Sequence, residues 1–400
     1  MKNMFLTAIL VMIFSFPAAY SQNRSILFRE RPWAEIQEAA KKENKLIFLD
    51  AYASWCGPCK WMAANIFTND TVADYYNEKF ICAKIDMEKG EGITLAKKYE
   101  VRAYPTLLFI SPDGEMVHKK VGAYRNVSEY INLGMNAQEP DKCFSSTLKK
   151  YQAGNLDPDF IFIHLSNLKD AYLPVTEPLK KYISTQKSED LISQANWNII
   201  YNFSDDINSS EFIYLVSHHK EFEKRYTKDA VQRKIDNVYS YELNKFFRMK
   251  PFPQASWDNL IGIIKQSGYS RADEVVLDAR LSLYSYRKDT TGFLSLAFSE
   301  VDLIYRDDYT KLNNVAWQVY NYTGYTGNKK YLEKAAEWSK RSVELMDEPF
   351  NNNTYAAILF KLGEKKEAIR IQTKAIELAR KNNLPTKAYE DALLKMKTGK

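Results

Sequence analysis

The chain has 400 residues, 26% of them charged, with a formal net charge of +6, four cysteines and four histidines. That length favours more than one domain, and so few cysteines do not make a disulfide-stapled scaffold. The basic excess is spread along the chain rather than gathered with stacking aromatics, so no nucleic-acid surface is expected.

At the N-terminus, Lys2 precedes an apolar run from Met4 to Phe16, and Pro17-Ala18-Ala19-Tyr20-Ser21 supplies small residues. This reads as a signal peptide over residues 1–21, cleaved before Gln22, because the run is too short to span a bilayer comfortably. The mature protein is therefore expected to be exported and soluble.

From Trp33 the pattern alternates. Trp33, Ile36 and Ala40 share one helical face, and "KLIFLDAYA" from Lys45 is a buried strand. A helix begins at or near Cys56 and runs through Met62, with another around Val72 to Asn77. "FICAKIDM" is a strand, "ITLAKKYEV" a short helix, and "PTLLFISPDGEMVHKKVGAY" a hairpin around Pro-Asp-Gly. "NVSEYINLG" closes the domain. Helices interleaved with central strands predict an α/β domain over residues 22–137.

Residues 138–158 are polar, contain prolines and Gly154, and are expected as a linker. Residues 159–400 carry apolar side chains at three- and four-residue steps, so the remainder is predicted all-α. "YLEKAAEWSKRSVEL" (331–345) superposes on "EKKEAIRIQTKAIEL" (364–378), aligning Ala335 with Ala368, Trp338 with Ile371 and Ser342 with Ala375. This period resembles tetratricopeptide repeats, which implies a stacked helical domain with a surface suited to a peptide or protein.

Cys56 and Cys59 are the local cysteine pair. Zinc would need two further ligands, and neither Cys82, Cys143 nor the histidines have that spacing. A purely structural bridge across three residues would restrict little of the unfolded chain. A redox pair fits better: a helix start favours the Cys56 thiolate, Cys59 is placed to resolve a mixed disulfide, and Pro58 suits a first turn. Trp55 offers a flat apolar wall beside the nucleophile, and Trp61 is read as core or rim packing.

Trp55-Cys56-Gly57-Pro58-Cys59-Lys60 is, as it stands, similar to the active-site sequence of thioredoxins. The resemblance implies roles elsewhere. Asp50 falls where that family keeps a buried aspartate that takes the proton of the resolving thiol, and Lys84 where a lysine lies near it. Tyr104-Pro105-Thr106 matches the family's cis-proline loop, which holds the substrate chain. Gly122 matches a family glycine. Tyr104, Ala51 and Tyr52 depart from the usual residues. Lys84 has a second reading as a strand-surface charge. Cys82 is read as an inert buried thiol, and Cys143 first as a solvent-side thiol, then as a redox partner or intermolecular link.

The resemblance implies thiol–disulfide exchange with protein disulfides or dithiols. Gly-Pro between the cysteines favours a reductase, expected in the periplasm and recharged by a membrane-bound electron donor. A disulfide-forming oxidant, or a helical adaptor with a subsidiary redox domain, is the alternative. No glycine-rich phosphate loop, HExxH or G-x-S-x-G occurs, and no cofactor or metal is called for.

Overall fold

A computed structural model describes residues 24–326 and 329–398. The expected signal peptide lies outside the described residues. The chain divides into two compact units, Met1–Phe203 and Ser204–Lys400.

In the first unit the order is α1 (Trp33–Glu43), β1 (Ile47–Tyr52), α2 (Gly57–Asn65), α3 (Asp70–Lys79), β2 (Ile81–Asp86), α4 (Gly92–Lys98), β3 (Thr106–Ile110), β4 (Met116–Val121) and α5 (Val127–Gln138). Every element read from the pattern of residues 33–134 is present, with ends shifted by a few residues. The sheet order is β2-β1-β3-β4. β1 runs parallel to β2 and antiparallel to β3, and β3 pairs antiparallel with β4.

Strand alternation sorts the side chains into two layers. Ile47, Leu49 and Ala51 point to the side packed by Trp33, Ile36 and Ala40 of α1 and Leu95 of α4. Phe48, Leu107 and Phe109 point to the opposite side, where Met62 of α2, Tyr76 of α3 and Tyr130 and Leu133 of α5 cover them. Phe48 and Tyr76 meet edge-to-face at 4.6 Å, and each buried aromatic contributes on the order of 2 kcal/mol from area alone. Local chemistry fixes the helix starts. Asn69 accepts from the Thr71 and Val72 amides ahead of α3, and Asn126 with Glu129 forms a capping box on α5.

Residues 138–158, where polarity suggested a linker, instead carry α6 (Phe144–Gln152) and the cap of α7 (Pro158–Asp170). Both helices pack on β4. Phe144 and Thr147 are buried, and His118 Nδ1 on β4 accepts the Phe144 N–H at 3.1 Å. Burial lowers the His118 pKa to about 4, which keeps that ring neutral and able to accept. A helix this short buries only a few apolar positions, so its polar face dominates the composition. α8 (Thr176–Ile183) and α9 (Gln194–Phe203) complete this unit.

The second unit is helical throughout its described residues: α10 (Ser210–Ser217), α11 (His219–Arg225), α12 (Lys228–Lys245), α13 (Gln254–Gln266), α14 (Ala272–Arg287) and α15 (Thr290–Ile304). α16 (Tyr309–Thr326), α17 (Lys329–Leu345), α18 (Pro349–Leu362), α19 (Lys365–Lys381) and α20 (Lys387–Thr398) follow. Each of these last five helices packs on its sequence neighbour. Residues 331–345 and 364–378 fall on α17 and α19, with Ala335, Ala368, Ser342 and Ala375 all at 0% exposure. Small residues at equivalent places let successive helices approach closely. Gly363 ends α18 in the left-handed region at φ 94°. The architecture is thus an α/β domain followed by a long all-α region with repeat-like packing.

One contact at the start of α4 is unforgiving. A Cβ on Gly92 would stand 2.1 Å from the backbone oxygen of Asp86. Gly92→Ala is expected to cost about 1–3 kcal/mol, read as a lower urea midpoint. Gly57→Ala, where nothing lies within 4 Å of the new carbon, should move the midpoint far less.

Candidate active site

The chain leaves β1 at Tyr52, turns through Ala53 to Trp55, and enters α2 with Cys56 as its N-cap at φ −68° and ψ 109°. Gly57 and Pro58 occupy the first two helical positions, where a missing N–H costs no hydrogen bond. Cys56 and Cys59 are joined as a disulfide with Cα atoms 5.3 Å apart. The Cys59 amide donates to Cys56 Sγ at 3.1 Å. Both cysteines are 2% exposed. The Cys59 amide and the positive end of α2 therefore act on the Cys56 sulfur, the environment that favours a thiolate once the bond is reduced.

Asp50 lies on the β1 face that α2 covers, in register with Lys84 of β2. It is 0% exposed, and neither carboxylate oxygen has a hydrogen-bond partner. Lys84 Nζ is 3.3 Å from Oδ2, an ion pair without hydrogen-bond geometry. Burial raises the Asp50 pKa to about 6, and the Lys84 charge opposes that rise. Lys84 is itself held among rings, 4.8 Å from the centroid of Tyr52 and 5.8 Å from those of Phe28 and Phe67. The structure thus places the Lys84 ammonium beside Asp50, with the lysine side chain 26% exposed.

The Tyr104–Pro105 peptide is cis. The Pro105 carbonyl accepts the Gly122 N–H at 2.8 Å, and Gly122 takes φ 85°, a conformation that favours glycine. Thr106 is buried at the start of β3 and its hydroxyl donates to the Ala103 carbonyl at 2.7 Å. Tyr104 packs with Tyr52, Ala53 and both cysteines in one cluster. Its ring meets Trp55 edge-on at 5.9 Å. Trp55 is 67% exposed, and its indole N–H donates to Glu88 at 2.9 Å.

Cys82 is buried, its thiol donates to the Tyr76 carbonyl at 3.5 Å, and burial pushes its pKa up to about 12. Cys143 corrects its first reading: it is buried at 6% exposure, at the N-cap position of α6, rather than facing solvent. Trp61 packs at the edge of the core with the Arg125 guanidinium 5.9 Å from its ring. Among the described residues no group of three or more His, Cys, Asp or Glu is placed to hold a metal. No helix there is long and apolar enough to cross a membrane.

Sequence reasoning missed Glu88 and the rings around Lys84. Glu88 lies 33 positions from Trp55, and Phe28 precedes the first helix, so neither shares a local pattern with the cysteines.

The thioredoxin family profile matches residues 32–132. Thioredoxin-1 of Drosophila melanogaster is 43% identical over 96 residues, covering 24% of this chain and 80% of that protein. Thioredoxin H4 of Arabidopsis thaliana is 43% identical over 91 residues, covering 23% of this chain and 71% of that protein. A chain of known solution structure from Bacteroides thetaiotaomicron is 45% identical with a TM-score of 0.27, covering 30% of this chain and 100% of its own.

The Asp50 carboxyl makes stability depend on pH. Its folded value of about 6 exceeds the ordinary 3.8, so the folded state holds a proton that the unfolded chain releases. Stability from the neutral carboxyl is present below about pH 4 and is lost as pH rises through 6, by about 3 kcal/mol. Asp50→Asn, neutral throughout, should match the parent near pH 4 and exceed it by up to that amount at pH 8. Urea unfolding of the oxidised proteins at both pH values measures the difference.

Proposed function

This chain belongs to the thioredoxin family, and we propose that it is a cell-envelope reductase of protein disulfides. Thiol–disulfide oxidoreductase activity follows from the family and from the closely spaced cysteine pair. The observation that carries the finer reading is the buried Asp50 on the face covered by α2, with a pKa near 6 and the Lys84 ammonium 3.3 Å from its carboxylate.

In the reduced protein the Cys56 thiolate attacks one sulfur of a substrate disulfide. A Cys56–substrate bond forms and the substrate's other sulfur leaves as a thiolate. The backbone at Pro105, beside the cysteine cluster, holds the substrate chain. Cys59 then gives its proton to Asp50 and attacks Cys56 Sγ. The second substrate thiolate departs, and the enzyme keeps the Cys56–Cys59 disulfide while the substrate gains two electrons. Lys84 stabilises the Asp50 charge between these steps. Trp55, Gly57, Pro58 and Tyr104 line the groove; Thr106, expected there too, is buried and supports the loop from beneath through its bond to the Ala103 carbonyl, and Gly122 braces it.

Gly57-Pro58 between the cysteines and the aspartate behind them favour the reducing direction. The signal expected over residues 1–21 favours the periplasm, where a membrane-bound donor must return the pair to the dithiol. We take the redox domain proper as residues 22–137 and the region from 159 as tetratricopeptide-like. The latter would hold a substrate or partner polypeptide on its helical surface. The adaptor reading would require partner binding to persist, and the phenotype to survive, when Cys56 is removed.

The reduction potential of the Cys56–Cys59 couple tests the direction. A value around −270 mV supports the reductase, and one near −120 mV replaces it with an oxidant. Insulin reduction should be abolished by Cys56→Ser. Asp50→Asn should slow resolution of the mixed disulfide on the order of 10²-fold at pH 7 while leaving the first attack nearly intact. It should also remove the rise in the resolution rate centred near pH 6, followed by stopped-flow tryptophan fluorescence.

A further inference from the structure

The Pro105 carbonyl is held by one amide, that of Gly122, at the point where β4 ends and the chain swings away toward α5. Gly122 adds no side chain to fix that point. Two residues to either side, Lys120 and Tyr124 both reach the same carboxylate. Lys120 Nζ donates to Asp170 Oδ1 at 2.8 Å, and the Tyr124 hydroxyl donates to Oδ2 at 2.6 Å. Lys120 also lies 4.3 Å from the Tyr124 ring centroid. The lysine and carboxylate side chains are only 15% and 28% exposed, so water screens the pair weakly.

Asp170 stands on the last turn of α7, outside the segment that matches the family profile. A carboxylate is unfavourable at a helix C-terminus, by about 0.3–1 kcal/mol, so helix stability does not account for it. One turn earlier, the buried Asn167 donates to the Lys142 carbonyl at 2.8 Å and to Thr147 Oγ1 at 3.0 Å. These bonds seat α7 on α6, which in turn packs on β4. The carboxylate is therefore presented from a fixed base.

We propose that Asp170 is a positioning residue for the Pro105 loop, clamping the β4 end through Lys120 and Tyr124 so that Gly122 holds the substrate-binding backbone in place. The inference rests on the reading of Pro105 as the edge that receives a polypeptide substrate. A substrate that lies along that edge depends on its placement, whereas a small disulfide needs only the sulfurs.

Steady-state kinetics of the full chain with insulin and with a small cyclic disulfide such as lipoamide separate the two. Asp170→Asn should raise KM for insulin roughly fivefold, leaving kcat, the lipoamide KM and the reduction potential within about twofold. Tyr124→Phe, which removes only one hydroxyl, should raise the insulin KM in the same selective way by a smaller factor. It carries the test if Asp170→Asn does not fold. A lowered Tm with both KM values unmoved, or moved together, would overturn the inference while leaving the redox reading standing. If the unsubstituted protein reduced lipoamide but not insulin, the Pro105 reading itself would fall.

Discussion

A carboxylate with no solvent exposure and no hydrogen bond lies on the sheet face beneath α2. Burying such a group charged is costly, and proteins usually answer by pairing it or keeping it protonated. Here both answers are partial. The Lys84 ammonium is near enough to favour the charged form, yet burial prevails and holds the pKa near 6. A group balanced this way can take up and release a proton near neutral pH, which an ordinary surface aspartate cannot do. The β1–β2 register sets Asp50 opposite Lys84, and the rings of Tyr52, Phe28 and Phe67 keep the lysine beside it.

The same sheet brings the remaining parts together. β1 ends at the turn into α2, and its antiparallel neighbour β3 begins just after Pro105, so the strand ends converge on the cysteines from two directions. The Gly122 amide extends the β3–β4 pairing to the Pro105 carbonyl. Through β4 the site is coupled to α6 and α7, which the family profile does not include. His118 receives the first amide of α6, while Asp170 gathers Lys120 and Tyr124. The added helices thus pack on the edge strand β4 and engage it through the side chains of His118 and Lys120.

The second unit builds on different physics. Alanine and serine at equivalent places on α17 and α19 permit close helix approach, and each helix there buries its face against neighbours in sequence. Its core excludes water around Trp338, Leu332 and Val319. This local, stepwise packing is why the repeat pattern survives in the sequence without long-range pairing.

The sequence alone determined the α/β order of residues 33–134, the all-α remainder and the helix-capping cysteine pair. Periodicity, turn residues and CxxC spacing are properties of neighbouring positions. Asp50, Lys84 and Pro105 were legible only through resemblance, because their relation to the cysteines crosses strands. The tertiary structure alone decided that Lys84 pairs with Asp50, that Glu88 meets Trp55, and that Cys143 is buried. It alone showed that residues 138–158 carry a helix docked on β4 and that Asp170 reaches Lys120 and Tyr124. Each of these depends on which faces meet once the chain is packed, and a polar side chain in sequence looks the same whether it meets water or one buried partner.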